Sequence, residues 1–209
     1  MSDAPAPKIL VWDAPTRAFH WLTVLSFSLA YLTAESERWR LVHITLGYTL
    51  AGLVMFRIVW GIVGTRYARF SDFVRPPALV WQYLRTVLQG RPKHYTGHNP
   101  AGAVAIVGIL LCASALGLSG WASFNEIAGE WVTQWHAWLG HALLVLVLVH
   151  LAGVVVGSVQ HRENLARAMV SGYKTGTVYC EAVRPWRGVA LLLVLSVLCF
   201  WYIQWSTAP

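Results

Sequence analysis

Five stretches of this chain are long, apolar and nearly free of charge: Ala18 to Thr33, His43 to Gly64, Ala101 to Ala122, Trp135 to Gln160 and Val189 to Trp205. A helix needs about 20 apolar residues to cross the hydrocarbon core of a bilayer. In lipid the backbone must satisfy its own hydrogen bonds, so such runs become helices. Only 12% of the 209 residues are charged, half of what a soluble domain carries. That is too little to clothe a water-soluble surface, and the 56% apolar content excludes disorder. A net charge of +7 suits a nucleic-acid binder, but the apolar excess does not, and no nucleic-acid partner is expected. The first run lacks a small-residue cleavage site and is followed by a charged loop, so it reads as a span rather than a signal peptide.

Lys and Arg are distributed unevenly over the segments between these runs. The N-terminal, second and fourth connecting segments hold 13 of them, whereas the first loop holds only Arg38 and Arg40 and the third none. Cytoplasmic segments carry the positive excess. The N-terminus is therefore expected in the cytoplasm and the C-terminus outside. Trp12, Trp21, Trp60 and Trp186 would line the inner interface, with Trp39, Trp121, Trp131, Trp135, Trp138 and Trp205 along the outer one, where an apolar ring with a polar N–H is at home. In the long inner segment, Leu79, Val80, Tyr83, Leu84, Val87 and Leu88 share one helical face. The spacing predicts a short helix lying on the membrane surface, stopped at Gly90. Asn99-Pro100 reads as the N-cap and first residue of the third span.

Three cysteines, Cys112, Cys180 and Cys199, form no C-x-x-C or C-x-x-C-H. Neither a thiolate metal site nor covalent haem attachment is signalled.

Histidine is the informative residue type, because ionisable groups within a membrane are costly and usually functional. His20 lies near the inner start of the first run and His43 opens the second at its outer end. His136 and His150 lie on the fourth run, 14 residues apart, which is about 21 Å along a helix. Fourteen steps of about 100° fall only about 40° short of whole turns, so both point to nearly one side. Depth then pairs His136 with His43 near the outside and His150 with His20 near the inside. Two facing imidazoles in a helix bundle are what a six-coordinate haem iron requires. Zinc is a poor rival, since it gathers its ligands into one tetrahedron.

Gly47 and Gly140 follow His43 and His136 by one turn, and Gly153 follows His150 by three residues. They leave room either for a flat macrocycle or for close helix packing. Arg57, inside the second run, and Arg17, three residues before His20, could each meet a haem propionate; Arg17 is read equally well as an interface arginine. His141 is turned away from His136 and is expected to serve packing. His94, His98 and His161 sit at the inner boundary, either solvated or with one of them bonding a quinone carbonyl.

The stretches V-W-D-A-P-T-R-A-F-H-W (Val11 to Trp21), H-I-T-L-G-Y (His43 to Tyr48), F-R-I-V-W-G (Phe56 to Gly61), G-H-N-P-A-G (Gly97 to Gly102), H-A-W-L-G (His136 to Gly140) and H-R-E-N-L-A-R-A-M-V-S-G-Y-K (His161 to Lys174) resemble the prokaryotic cytochrome b561 family. The resemblance is strongest to its branch of nickel–iron hydrogenase b-type cytochrome subunits. It spans residues from about 8 to 174. It implies an all-α, integral membrane four-helix bundle with two b haems, liganded by His20, His43, His136 and His150, over residues 1–174. Residues 175–209 would then add a linker and a fifth C-terminal transmembrane helix. The implied function is electron transfer across the membrane between the quinone pool and a partner, a hydrogenase-like subunit or a periplasmic c-type cytochrome.

Two other readings stand beside it. Some relatives oxidise superoxide and reduce ubiquinone without a partner. That chemistry calls for a basic outer funnel, whereas the outer loops here set Arg38 and Arg40 against Glu35, Glu37, Glu126 and Glu130. A non-redox membrane anchor would need no haem and no ordered histidines.

Overall fold

The computed structural model describes residues 8–91, 93–127, 129–175 and 184–208. Strand β1 (Lys8–Leu10) leads into helix α1 (Ala14–Thr33). A short 3-10 turn at Glu37–Trp39 precedes α2 (Arg40–Val63). A second turn, the short helix α3 (Phe70–Phe73) and α4 (Pro77–Leu88) form the inner segment. Helices α5 (Pro100–Phe124) and α6 (Glu130–His161) follow, then α7 (Leu165–Ser171), strand β2 (Tyr173–Thr175) and α8 (Arg187–Ser206).

Local chemistry explains the helix starts. Asp13 and Asn99 adopt extended backbone, and each side chain accepts from an N–H three residues on, at 2.8 and 2.7 Å. This satisfies donors that a helix N-terminus leaves unpaired. Among the described residues, four helical segments are long and apolar enough to cross a membrane: Glu37–Val63, Pro100–Phe124, Glu130–His161 and Arg187–Ser206. The expected first span is a 20-residue helix but is not among these four.

Helix α1 is nevertheless bound to α2 along its length. Asp13 at its start meets Trp60 near the end of α2, and Ala30 near its end meets His43. The two helices are therefore antiparallel neighbours. The central core draws Phe27 from α1, Leu50 and Val54 from α2, Leu110, Ala113 and Leu116 from α5, and Leu143 from α6, so four helices share one interior. Within this group backbone packing is closest between α5 and α6 and between α1 and α2, with α2 also against α5. Helix α8 lies outside this group, mainly against α1, with the Trp201 N–H donating to the Thr49 hydroxyl at 2.8 Å.

The inner end is closed by a second cluster of Val11, Trp12, Tyr67 and Ala168 beneath the antiparallel pair β1–β2. Gly172 ends α7 at φ 88°, a conformation glycine adopts without strain. Its carbonyl accepts from the N–H groups of Val11 and Trp12 at 2.9 and 3.0 Å.

Two expectations are corrected here. Trp12 and Trp60 are buried, at 6% and 8% exposure, rather than lining the interface, because the Trp60 N–H donates to Asp13 and Trp12 packs in the inner cluster. The apolar face of α4 is also divided: Tyr83 is buried, whereas Leu79, Leu84 and Leu88 are exposed beside Trp81. The tyrosine side turns inward and α4 lies against α5. Of the cysteines, Cys112 is part-buried and Cys199 exposed, both free; Cys180 and most of the expected linker lie outside the described residues.

Candidate functional site

His43 sits in the first turn of α2 and His136 in the second turn of α6. Their ring centroids are 6.1 Å apart with planes at 88°. The His43 Nδ1–H donates to the Ala30 carbonyl at 2.8 Å. That of His136 donates to the Leu116 carbonyl at 3.1 Å, with the Ser119 hydroxyl at 3.2 Å. A carbonyl can only accept, so Nδ1 carries the proton in both rings and Nε2 keeps its lone pair. Such a bond on the far nitrogen sets the tautomer and orientation of a ligating imidazole. Nitrogen–metal bonds of about 2 Å on opposite sides of one ion bring two ring centres to about 6 Å.

Gly120 makes this placement possible: a Cβ there would come within 2.7 Å of the His136 ring. Periodicity gave no hint of it, since Gly120 lies on a different helix. Gly47, Gly140 and Gly153 behave differently, as a Cβ on any of them would meet no atom within 4 Å. A true packing glycine looks like Gly117, whose Cβ would touch Ala51 at 3.2 Å. The space beside the histidines is therefore not consumed by helix contact.

At the inner end, His20 and His150 lie within electrostatic reach of each other. Both are half-buried, and the shielded Nδ1 of His20 has no hydrogen-bond partner. Arg57 is 3% exposed, its guanidinium 5.0 and 5.9 Å from the rings of Phe70 and Phe73. Its Nη1 is shielded and meets no acceptor. Arg17 donates through Nη1 to the Val170 carbonyl at 2.7 Å, tying α1 to α7, while its Nε is shielded and unpartnered. A buried guanidinium nitrogen without an acceptor is costly. This inner end therefore fits a ligand that brings carboxylates, and haem carries two.

The remaining histidines separate by environment. His141 accepts from or donates to the Tyr31 hydroxyl at 2.9 Å, linking α6 to α1 as a packing contact. His98 is not solvated: it lies between the rings of Trp12 and Phe73 at 4.5 and 4.6 Å. Burial, then the charge of Arg57, lowers its pKa from 6.5 to about 3, so it is a neutral imidazole. His94 lies 3.6 Å from Glu163 and edge-on to His161 at 5.2 Å. Lys174, 6% exposed, lies 3.7 Å from Glu163 and donates to the Tyr95 carbonyl. Burial pulls its pKa down against the opposing pull of Glu163.

Asp13, which sequence reasoning passed over, is 1% exposed. It accepts from the Thr16 N–H, the Trp60 N–H at 3.0 Å and the Thr65 hydroxyl at 2.6 Å. Among the described residues no three His, Cys, Asp or Glu side chains converge as a metal cage. A pair of imidazoles suffices only where a macrocycle supplies the other ligands.

A family model described as prokaryotic cytochrome b561 matches residues 11–172. Among curated proteins, the probable Ni/Fe-hydrogenase B-type cytochrome subunit of Azotobacter vinelandii is 28% identical, over 79% of this chain and 88% of its own length. That of Bradyrhizobium diazoefficiens is 26% identical, over 79% and 85%. The probable Ni/Fe-hydrogenase 1 B-type cytochrome subunit of Escherichia coli K12 is also 26% identical, over 79% and 90%. No solved structure gave a significant match.

Proposed function

This chain belongs to the prokaryotic cytochrome b561 family, and on that premise we propose that it is a di-haem b-type cytochrome of the bacterial inner membrane, carrying electrons between a redox partner and the quinone pool. The observation that carries the reading is the His43–His136 pair, 6.1 Å between ring centres, with both Nδ1 atoms committed to backbone carbonyls. His20 and His150 would hold the inner haem, and His43 and His136 the outer one. The haem supplies one-electron redox chemistry. These residues would hold it and set its position and burial. Arg57 and Arg17 would face the inner propionates. The relatives' names make a hydrogenase-like subunit the favoured partner, with a c-type cytochrome the other candidate.

Helix α1 pairs with α2 from end to end, so a bilayer crossed by α2 is crossed by α1 as well. That makes five crossings, with residues 1–174 forming the haem-binding domain and α8 an added helix against it. The N-terminus is then cytoplasmic and α4 lies on the inner surface, its exposed Leu84 and Leu88 meeting lipid.

The deciding experiment is a haem count on protein purified after haem-replete expression. Two b haems per chain, both reduced by a quinol, are expected; one haem or none overturns the proposal. Reduction by superoxide but not by quinol would replace it with a stand-alone oxidoreductase.

Two further outcomes are expected. Gly140→Leu fills the space one turn from His136 and should lower outer-haem occupancy several-fold at unchanged helix content by circular dichroism. Full occupancy in that variant would place the outer ligand elsewhere. A cysteine replacing Arg85, which lies exposed over the Trp81 ring, should react with an impermeant maleimide only in inverted vesicles. Reaction in intact spheroplasts would reverse the topology.

A further inference from the structure

The inner end holds more donors than the ligand pair needs. Phe73, 1% exposed, has His98 on one side at 4.6 Å between ring centres and the Arg57 guanidinium 5.9 Å from its centroid. One aromatic ring thus sets two donors side by side. Each keeps a shielded nitrogen without a partner, Nδ1 on His98 and Nη1 on Arg57. His98 is also within electrostatic reach of both Arg57 and His150. Its place is held from two directions. Asn99 caps α5 immediately after it, and a Cβ on Gly97 just before it would press on Tyr67 at 3.1 Å.

The carboxylate that Arg57 feels most, Asp13, is already engaged by Thr16, Trp60 and Thr65. Resting on the di-haem reading, we propose that His98 and Arg57 together grip one propionate carboxylate of the inner haem, His98 through a neutral N–H and Arg57 through its charge. A quinone carbonyl could satisfy an N–H but would bring no negative charge to the guanidinium, whose Nη1 has no partner. A carboxylate answers both. With burial and neighbouring cations keeping His98 neutral, the pair offers one charge and two directed bonds to one anion.

Redox titration of His98→Leu and His98→Gln tests this, with the inner and outer haems told apart by His150→Ala and His43→Ala. Loss of a donor leaves the propionate's negative charge less compensated and disfavours reduction. His98→Leu should shift the inner haem's reduction equilibrium about tenfold, or about 59 mV downward for one electron, and leave the outer haem in place. His98→Gln, which keeps a donor, should recover most of the shift. In redox difference infrared spectra with haem labelled by 13C at the propionates, His98→Leu should move the carboxylate band.

Unchanged potentials and an unmoved band at full haem content would overturn the proposal. Equal disturbance of both haems in both variants would make His98 a structural residue and also overturn it. Lost quinol reduction with an unmoved band would assign His98 to quinone instead. Should His98→Leu fail to fold, dipolar coupling between 15N-histidine and 13C-propionate in the unaltered protein reads the same contact, and its absence overturns it. These outcomes leave the di-haem reading standing; a chain with no inner haem at all would remove both.

Discussion

Alanine at position 150 is expected to cut the haem content from two per chain to about one. His150 is the partner that α6 offers to His20, and no other histidine on α6 can replace it: His141 is engaged with Tyr31 and His161 lies beside His94. On the di-haem reading, His20 alone would then remain to hold the inner haem where two imidazoles are proposed. The outer pair is held by contacts of its own, to Ala30, Leu116 and Ser119, so the outer haem should stay at least partly bound. The measurement is a haemochrome count with a reduced-minus-oxidised spectrum. Loss of neither haem would defeat the ligand assignment. Loss of both, with helicity intact, would mean that the two sites fill only together.

The second large effect concerns Asp13. Its carboxylate starts α1 and clasps the far end of α2 through Trp60 and Thr65. Asp13→Ala would leave the buried Trp60 N–H without an acceptor and uncap the helix. An unmade buried hydrogen bond costs about 1–3 kcal/mol and a lost cap about 1 kcal/mol. The whole change should destabilise by about 2–4 kcal/mol, which is about 10 °C in melting temperature for a chain of this size. Asp13→Asn keeps the cap but points an amide donor at other donors, and should fall between. Thermal unfolding in detergent reads all three proteins. Identical melting curves for the alanine variant and its parent would show that the clasp carries no stability.

Both effects trace to residues that the sequence displays unequally. The 14-residue interval between His136 and His150 is visible because it repeats a helical period, and a charge-poor stretch around each histidine marks it as costly. Asp13 shows nothing in its own neighbourhood beyond a helix start. Its acceptance from Trp60 spans 47 residues, and no local pattern encodes that. Trp12 and Trp60 were misplaced for a related reason. An indole near a membrane boundary suits both lipid and a buried acceptor, and only the position of Asp13 decides between them. His98 carries no local sign of burial, which comes from Trp12 and Phe73, residues distant in the chain. Helix α1 illustrates the reverse limit: its apolar run reads as a span, yet the helix is not among the four that are long and apolar enough by themselves, and its pairing with α2 supplies the missing argument.

What residue order alone determined is everything governed by one-dimensional periodicity and by the cost of charge in hydrocarbon. That includes the helices and their caps and the spacing of the histidines along them. The folded chain decided which nitrogen of His43 and His136 carries the proton, which glycines touch a neighbouring helix, and which buried donors are left over for an anion. These depend on atoms brought together from distant parts of the chain. A hydrogen bond tolerates errors of only a few tenths of an ångström, far finer than any helical period resolves.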